Sequence, residues 1–172
     1  MTDATVVTGG DRPAVRLERR LADPPPVVWQ ALTDRAQLRT WFPCDVVVAG
    51  GRWKVGAAIS FHFAPEVMEM TLSGEVITVD EPNELAFSWG EDVLRFELSA
   101  ADGGTRLILT NELPPAAAAR NAAGWDTCLH RLVGLTPSGD AWQTRFEIYV
   151  KAFEPILGPQ EGPPEGYTGD FD

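Results

Sequence analysis

Apolar and polar residues alternate from Val15 to Leu21. Val15, Leu17, Arg19 and Leu21 share one side, and Arg16, Glu18 and Arg20 the other, which predicts a half-buried strand. Asp23-Pro24-Pro25-Pro26 ends it, with Asp23 placed to cap a helix and proline tolerated in a first turn. Val28, Trp29 and Leu32 give that helix a short apolar face. Asp34 with Gln37 resembles a capping box, and Leu38, Trp41 and Phe42 follow at helical spacing until Pro43. Two short helices therefore follow the first strand.

From Asp45 to Asn111 the period is two. Val46-Val47-Val48 is a short run. Ile59, Phe61 and Phe63 share a face, as do Met68, Met70, Leu72, Gly74 and Val76. Leu85, Phe87 and Trp89 alternate with Glu84, Ala86 and Ser88, and Leu94, Phe96 and Leu98 with Arg95 and Glu97. Asp102-Gly103-Gly104 is a hairpin signal, because glycine accepts positive φ. Thr105 to Glu112 closes the series. About six short strands joined by tight turns predict an antiparallel meander.

The period then changes. Pro114-Pro115 opens an alanine-rich segment in which Trp125, Cys128, Leu129, Leu132 and Leu135 recur at three- and four-residue steps. Asp126, His130 and Arg131 occupy the other side, which predicts a long amphipathic helix over 115–135. Thr136-Pro137-Ser138-Gly139 ends it. A further helix is expected at about 140–154, with Asp140 and Gln143 at its start, Trp142, Phe146, Tyr149, Val150 and Phe153 as its stripe, and Glu154-Pro155 at its close.

The expected organisation is one α+β domain over 14–157, with a core at 14–135. A flexible polar start covers 1–13, and a disordered acidic tail covers 158–172. A chain of 172 residues suits one domain and needs no disulfide or metal staple. An open antiparallel sheet leaves one apolar face to cover, and the long helix is the natural cover. A curved sheet gripping that helix encloses space that either fills with side chains or stays open as a pocket.

Composition sharpens this picture. The chain carries a net charge of −11, and residues 158–172 hold Glu161, Glu165, Asp170 and Asp172 with no base. Such a balance excludes a nucleic-acid footprint, which needs clustered Lys and Arg. No signal peptide and no membrane-length apolar run is visible. Cys44 and Cys128 read as free thiols, so a cytoplasmic location is expected. Six Trp and eight Phe suggest an aromatic lining built from Trp41, Phe61, Phe63, Met70, Phe87, Trp89, Phe96, Trp125 and Leu129. Each of these also reads as plain core.

Candidate catalytic residues are few. His62 and His130 sit on polar sides, and Glu66 with Glu69, and Glu91 with Asp92, lie near turns. No metal-ligand spacing, nucleophile elbow or phosphate loop is present, and no cofactor is expected. Asn111 shares a face with Leu107 and Leu109. Facing inward it needs a partner, since an unpaired buried amide costs about 1–3 kcal/mol; facing outward it is a solvated strand end.

Five segments carry a family resemblance. They are Leu38-Arg39-Thr40-Trp41-Phe42-Pro43, Ser73 through Pro82, Leu85-Ala86-Phe87-Ser88-Trp89, Gly104 through Thr110, and Gly124-Trp125. In that order over 14–135 they resemble the SRPBCC (START-like) superfamily. Within it they are most similar to the bacterial homologues of the activator of heat-shock-chaperone ATPase, the Aha-type group. The resemblance implies a helix-grip fold with a deep hydrophobic cavity. Three functions are compatible with it: binding of a small hydrophobic or aromatic molecule, a chaperone-associated protein-interaction module, and a cyclase- or hydrolase-like enzyme. Relatives often carry histidine where this chain has Asn111. The helix at 140–154 lies beyond the common core. A homodimer is expected on general grounds.

Overall fold

The computed structural model describes residues 3–65, 70–134 and 141–162. The elements run β1 (Thr5–Val7), β2 (Ala14–Leu21), α1 (Pro25–Thr33), α2 (Arg35–Trp41), β3 (Asp45–Val48), β4 (Ala58–His62), β5 (Thr71–Asp80), β6 (Glu84–Trp89), β7 (Asp92–Ala101), β8 (Gly104–Glu112), α3 (Ala118–Leu132) and α4 (Ala141–Leu157). Met68, the Glu66–Glu69 pair, the stop signal at 136–139, Asp140, Leu135 and the chain beyond Gly162 fall outside the described residues.

The strands form one curved antiparallel sheet in the order β1-β2-β8-β7-β6-β5-β4-β3. The run from β3 to β8 is the meander that the alternation predicts. The α2 cap also forms as expected, with the Asp34 carboxylate accepting from the Gln37 N–H at 3.0 Å. Asp23 does not cap α1. Pro24 takes that position without a side-chain bond, and the Asp23 carbonyl accepts from the Thr105 hydroxyl instead.

Gly74 is required by packing. A Cβ there would run into the Ser88 carbonyl and the Phe61 ring. Gly74 on β5 thus leaves room for Phe61 of β4 and the Ser88 backbone of β6.

α3 lies across that face. Trp125, Cys128 and Leu129 are buried with the inward residues of the sheet and with Leu38, Trp41 and Phe42. Burying side chains of this size contributes about 1.5–3 kcal/mol each. A second apolar cluster forms on the far side of α3. Ala118, Ala119, Ala122 and Ala123 meet Trp142, Tyr149 and Phe153 of α4 there, with Val15 and Leu113 beneath. Small alanines let the two helix backbones approach closely. α3 is thus held between the sheet and α4.

Three expectations change. The start of the chain is not loose throughout: Thr5, Val6 and Val7 pair with Arg16, Val15 and Ala14. α4 does not close at Pro155 but runs to Leu157. Proline there falls in the last turn, which the Gly158 N–H to Glu154 carbonyl bond still closes at 2.9 Å. The segment after α4 is anchored as far as it is described. Gln160 Oε1 accepts from the Ala119 N–H at 2.9 Å, capping the start of α3, and the Glu161 N–H donates to the Ala116 carbonyl at 2.8 Å. None of the described helices is long and apolar enough to cross a membrane.

Candidate functional site

The interior begins with Trp41. It is 1% exposed, and its indole N–H donates to the Ala31 carbonyl at 2.9 Å. Its ring meets Phe42 and Phe96 edge-on, with centroids 5.4 and 6.2 Å away. Phe87 packs on Phe96 and on Phe61, and Phe61 meets Trp89 at 4.7 Å. Phe42 then touches Trp89 and Trp125, each at 5.5 Å. Edge-to-face, tilted and stacked ring contacts of this kind fill space densely. The deep cavity that the family resemblance implies is therefore occupied here by the protein's own rings.

Open volume remains at one end, where the first turns of α3 face the β6–β7 turn. A cleft of about 370 Å³ lies there, with Phe63, Met70, Leu72, Trp89, Trp125 and Cys128 among its walls. Its rim is polar: Glu91 and Asp92 come from the β6–β7 turn, and Arg120 and Asn121 from α3. Trp142 of α4 supplies a further wall. A smaller space of about 220 Å³, bordered by Trp41, Gln37, Thr40 and Arg131, lies at the other end of α3.

Of the residues expected to line a cavity, Phe63, Met70, Trp89 and Trp125 border the cleft, and Trp41 borders the smaller space. Phe61, Phe87, Phe96, Asn111 and Leu129 belong to the filled interior and border neither. The alternation placed Phe61, Phe87, Leu94 and Phe96 inward, and all are buried, although Ala86 on the opposite face is buried too. It could not tell an inward ring with a cavity before it from one with another ring before it. Phe42, Trp53 and Trp142 went unnamed as lining or interior aromatics, although Phe42 and Trp142 carried the helical-spacing signal.

Asn111 is buried, and its partners are internal. Its Oδ1 accepts from the Trp125 indole N–H at 3.0 Å, and its Nδ2 donates to the Val93 and Glu112 carbonyls at 3.2 and 3.0 Å. No ligand is needed to satisfy it. His62 is exposed on β4, opposite Asp45.

A second polar constellation corrects the reading of α3. Asp126, placed on a solvated side, is 0% exposed. Its Oδ1 takes Arg19 Nη2 at 2.6 Å, and its Oδ2 takes the Tyr149 hydroxyl at 3.0 Å, with Arg145 Nε at 3.4 Å. His130 lies one turn on, its Nδ1 3.1 Å from the Asp126 carbonyl and its Nε2 3.3 Å from Arg145. The cause is α4, which covers this side of α3. Burial, ahead of the nearby carboxylate, drives the Tyr149 hydroxyl well above its ordinary value. Tyr149 also accepts from the Ala4 N–H at 3.1 Å, and Arg19 also binds Asp3. The network thus ties the N-terminal arm, β2, α3 and α4 together.

Burial pushes the Cys128 thiol up to about 12. Burial, and after it the proximity of Cys128, raises the Cys44 thiol further. Neither is a nucleophile at neutral pH. Among the described residues no group of three or more His, Cys, Asp or Glu could hold a metal ion.

Residues 22–136 match the family model described as Activator of Hsp90 ATPase homolog 1-like protein. No curated protein matches the chain. Solved structures share the fold at low identity. A conserved protein of unknown function, EF2215 from Enterococcus faecalis, is 20% identical with a TM-score of 0.74, covering 89% of this chain and 91% of that one. CalU16 from Micromonospora echinospora is 21% identical at 0.68, covering 87% and 96%. The Aha1 dimer from Colwellia psychrerythraea is 18% identical at 0.59, covering 70% and 92%.

Proposed function

We propose that this chain, which belongs to the family of activator of Hsp90 ATPase homolog 1-like proteins, binds a small apolar or aromatic molecule in the cleft between α3 and the β6–β7 turn. The observation that carries this reading is the 370 Å³ of open space walled by Phe63, Trp89, Trp125 and Trp142. A concave apolar space with a few polar groups at its mouth is the usual form of a small-molecule site. Its volume suits a molecule of one or two rings.

The test is calorimetric titration of the protein with 1-naphthalenemethanol, beside a Gly124→Leu variant. Gly124 borders the cleft, and a Cβ there would meet only Trp142 Nε1, at 4.0 Å. Leucine fills the space and suits a helix. Saturable one-to-one binding that the variant loses supports the proposal. Absence of binding, or equal binding by both proteins, overturns it.

A second reading rests on α4. Ile148 and Ile156 are 44% and 60% exposed there. In this reading the chain acts as a chaperone-associated module, and as a dimer like the Colwellia relative. Stimulation of a purified cognate chaperone's ATP turnover supports it. Unchanged turnover, with a monomeric mass in solution, removes it.

A further inference from the structure

We propose that the molecule taken by the cleft carries a hydrogen-bond-donating amine head, held at Asp92 with its apolar body against the aromatic walls. This inference rests on the cleft being a ligand site and adds the chemistry of the ligand.

Asp92 begins β7 and borders the cleft, with its side chain 19% exposed. Its Oδ1 accepts from Arg12 Nη2 at 2.8 Å. Among the described residues its Oδ2 accepts no hydrogen bond. Burial raises the carboxyl above its ordinary value, and the Arg12 bond opposes that shift. A half-buried carboxylate with one oxygen unclaimed gains most from a charged donor, whose hydrogen bond is shorter and stronger than a neutral one.

The charged groups lining the cleft are two carboxylates, Glu91 and Asp92, against one guanidinium, Arg120. Trp125 has no donor to offer, because its indole N–H is bound to Asn111. The Asn121 Nδ2 donates one of its two N–H groups to the Ala117 carbonyl at 2.8 Å, and its Oδ1 accepts no hydrogen bond among the described residues. Arg12 is already engaged twice, with Asp92 and with the Glu91 carbonyl at 2.8 Å. Arg120 donates to the Gly162 carbonyl at 3.1 Å and lies 3.6 Å from Glu161. Both guanidinium groups thus have oxygen partners, and Glu91 adds an exposed negative charge beside Asp92. Aromatic faces also attract cations, with the largest effect where water is excluded. The net charge of −11 draws a cation toward the protein from a distance.

Three probes of matched size separate the possibilities: 1-naphthylmethylamine, 1-naphthalenemethanol and 1-naphthoate. They are titrated calorimetrically at neutral pH and low salt into the full chain and into Asp92→Asn and Arg12→Met variants. The amine is expected to bind about tenfold more tightly than the alcohol, with the carboxylate weakest. Asp92→Asn brings the amine down to the affinity of the alcohol and leaves the alcohol unchanged. Arg12→Met removes the competing donor and strengthens amine binding, which keeps the test independent of any folding defect in the Asp92 variant. Equal affinities for amine and alcohol in the unmodified chain, or an amine preference that survives Asp92→Asn, overturn the amine head and leave the cleft intact as a site. Failure of all three probes removes the cleft and the amine head together.

Discussion

The Trp125 indole N–H donates to Asn111 Oδ1 across 3.0 Å. This bond joins the gripping helix to the centre of the sheet, since Asn111 pairs with Val15 on one side and Leu94 on the other. Trp125 thus borders the cleft with its one N–H turned inward.

Trp125→Phe keeps a ring but leaves the Asn111 oxygen without its donor. Stability in urea is expected to fall by about 1–3 kcal/mol. Replacing both partners, Trp125→Phe with Asn111→Leu, is expected to cost less than the sum of the two single changes. Strict additivity would show that the bond contributes no coupling.

Asp126→Ala leaves Arg19 and Arg145 without their buried carboxylate. Breaking one side of a buried ion pair costs about 3–5 kcal/mol. Tyr149→Phe removes a hydroxyl that donates to that carboxylate and accepts from the Ala4 N–H, and is expected to cost about 1.5–3 kcal/mol. Thermal unfolding followed by far-UV circular dichroism measures both. A loss for Asp126→Ala no larger than that for Tyr149→Phe would mean that the network does not hold α4 in place.

Cys44 and Cys128 are 7% and 1% exposed, and both thiols titrate well above neutral pH because they are buried. Maleimide is expected to label neither in the native protein within minutes at pH 7.5, and both in denaturant. Rapid native labelling of Cys128 would show that the cleft admits reagent to the sulfur.

Asp45 is held well below the ordinary carboxylate value of 3.8, first by its hydrogen bond to Arg35 and then by Arg39. A lowered carboxyl stabilises the fold above its unfolded-state value, and that contribution is lost as pH falls through the folded-state value. Asp45→Asn is therefore expected to be slightly less stable than the parent at neutral pH. The effect is small, since both guanidinium groups are solvent-screened. The two proteins converge in strong acid. A stability gap that widens below 3.8 would contradict this.

Much of the fold could be read along the chain. Alternation in Leu85, Phe87 and Trp89 or in Leu94, Phe96 and Leu98 reports local geometry, since side chains on a strand must point to opposite faces. The Asp34 cap and the sheet-facing side of Trp125, Cys128 and Leu129 are local in the same sense. Asp126 shows where local reading stops. Its position on the polar side of α3 is a property of the helix, whereas its burial is a property of α4, docked 23 residues away at Tyr149. The edge strand at Thr5–Val7 and the Gln160 cap on α3 also depend on partners distant in sequence.

The candidate site divides along the same line. Sequence alone determined which aromatic side chains turn inward, because periods of two and of three to four residues follow from backbone geometry. It also determined that the long helix presents Trp125 to the sheet. Only the tertiary structure decided that Trp41, Phe42, Phe61, Phe87 and Phe96 fill the grip with one another, while Phe63, Trp89 and Trp125 border open space. Whether a ring meets another ring or a void depends on how distant elements pack in three dimensions, and residue type and spacing do not carry that information.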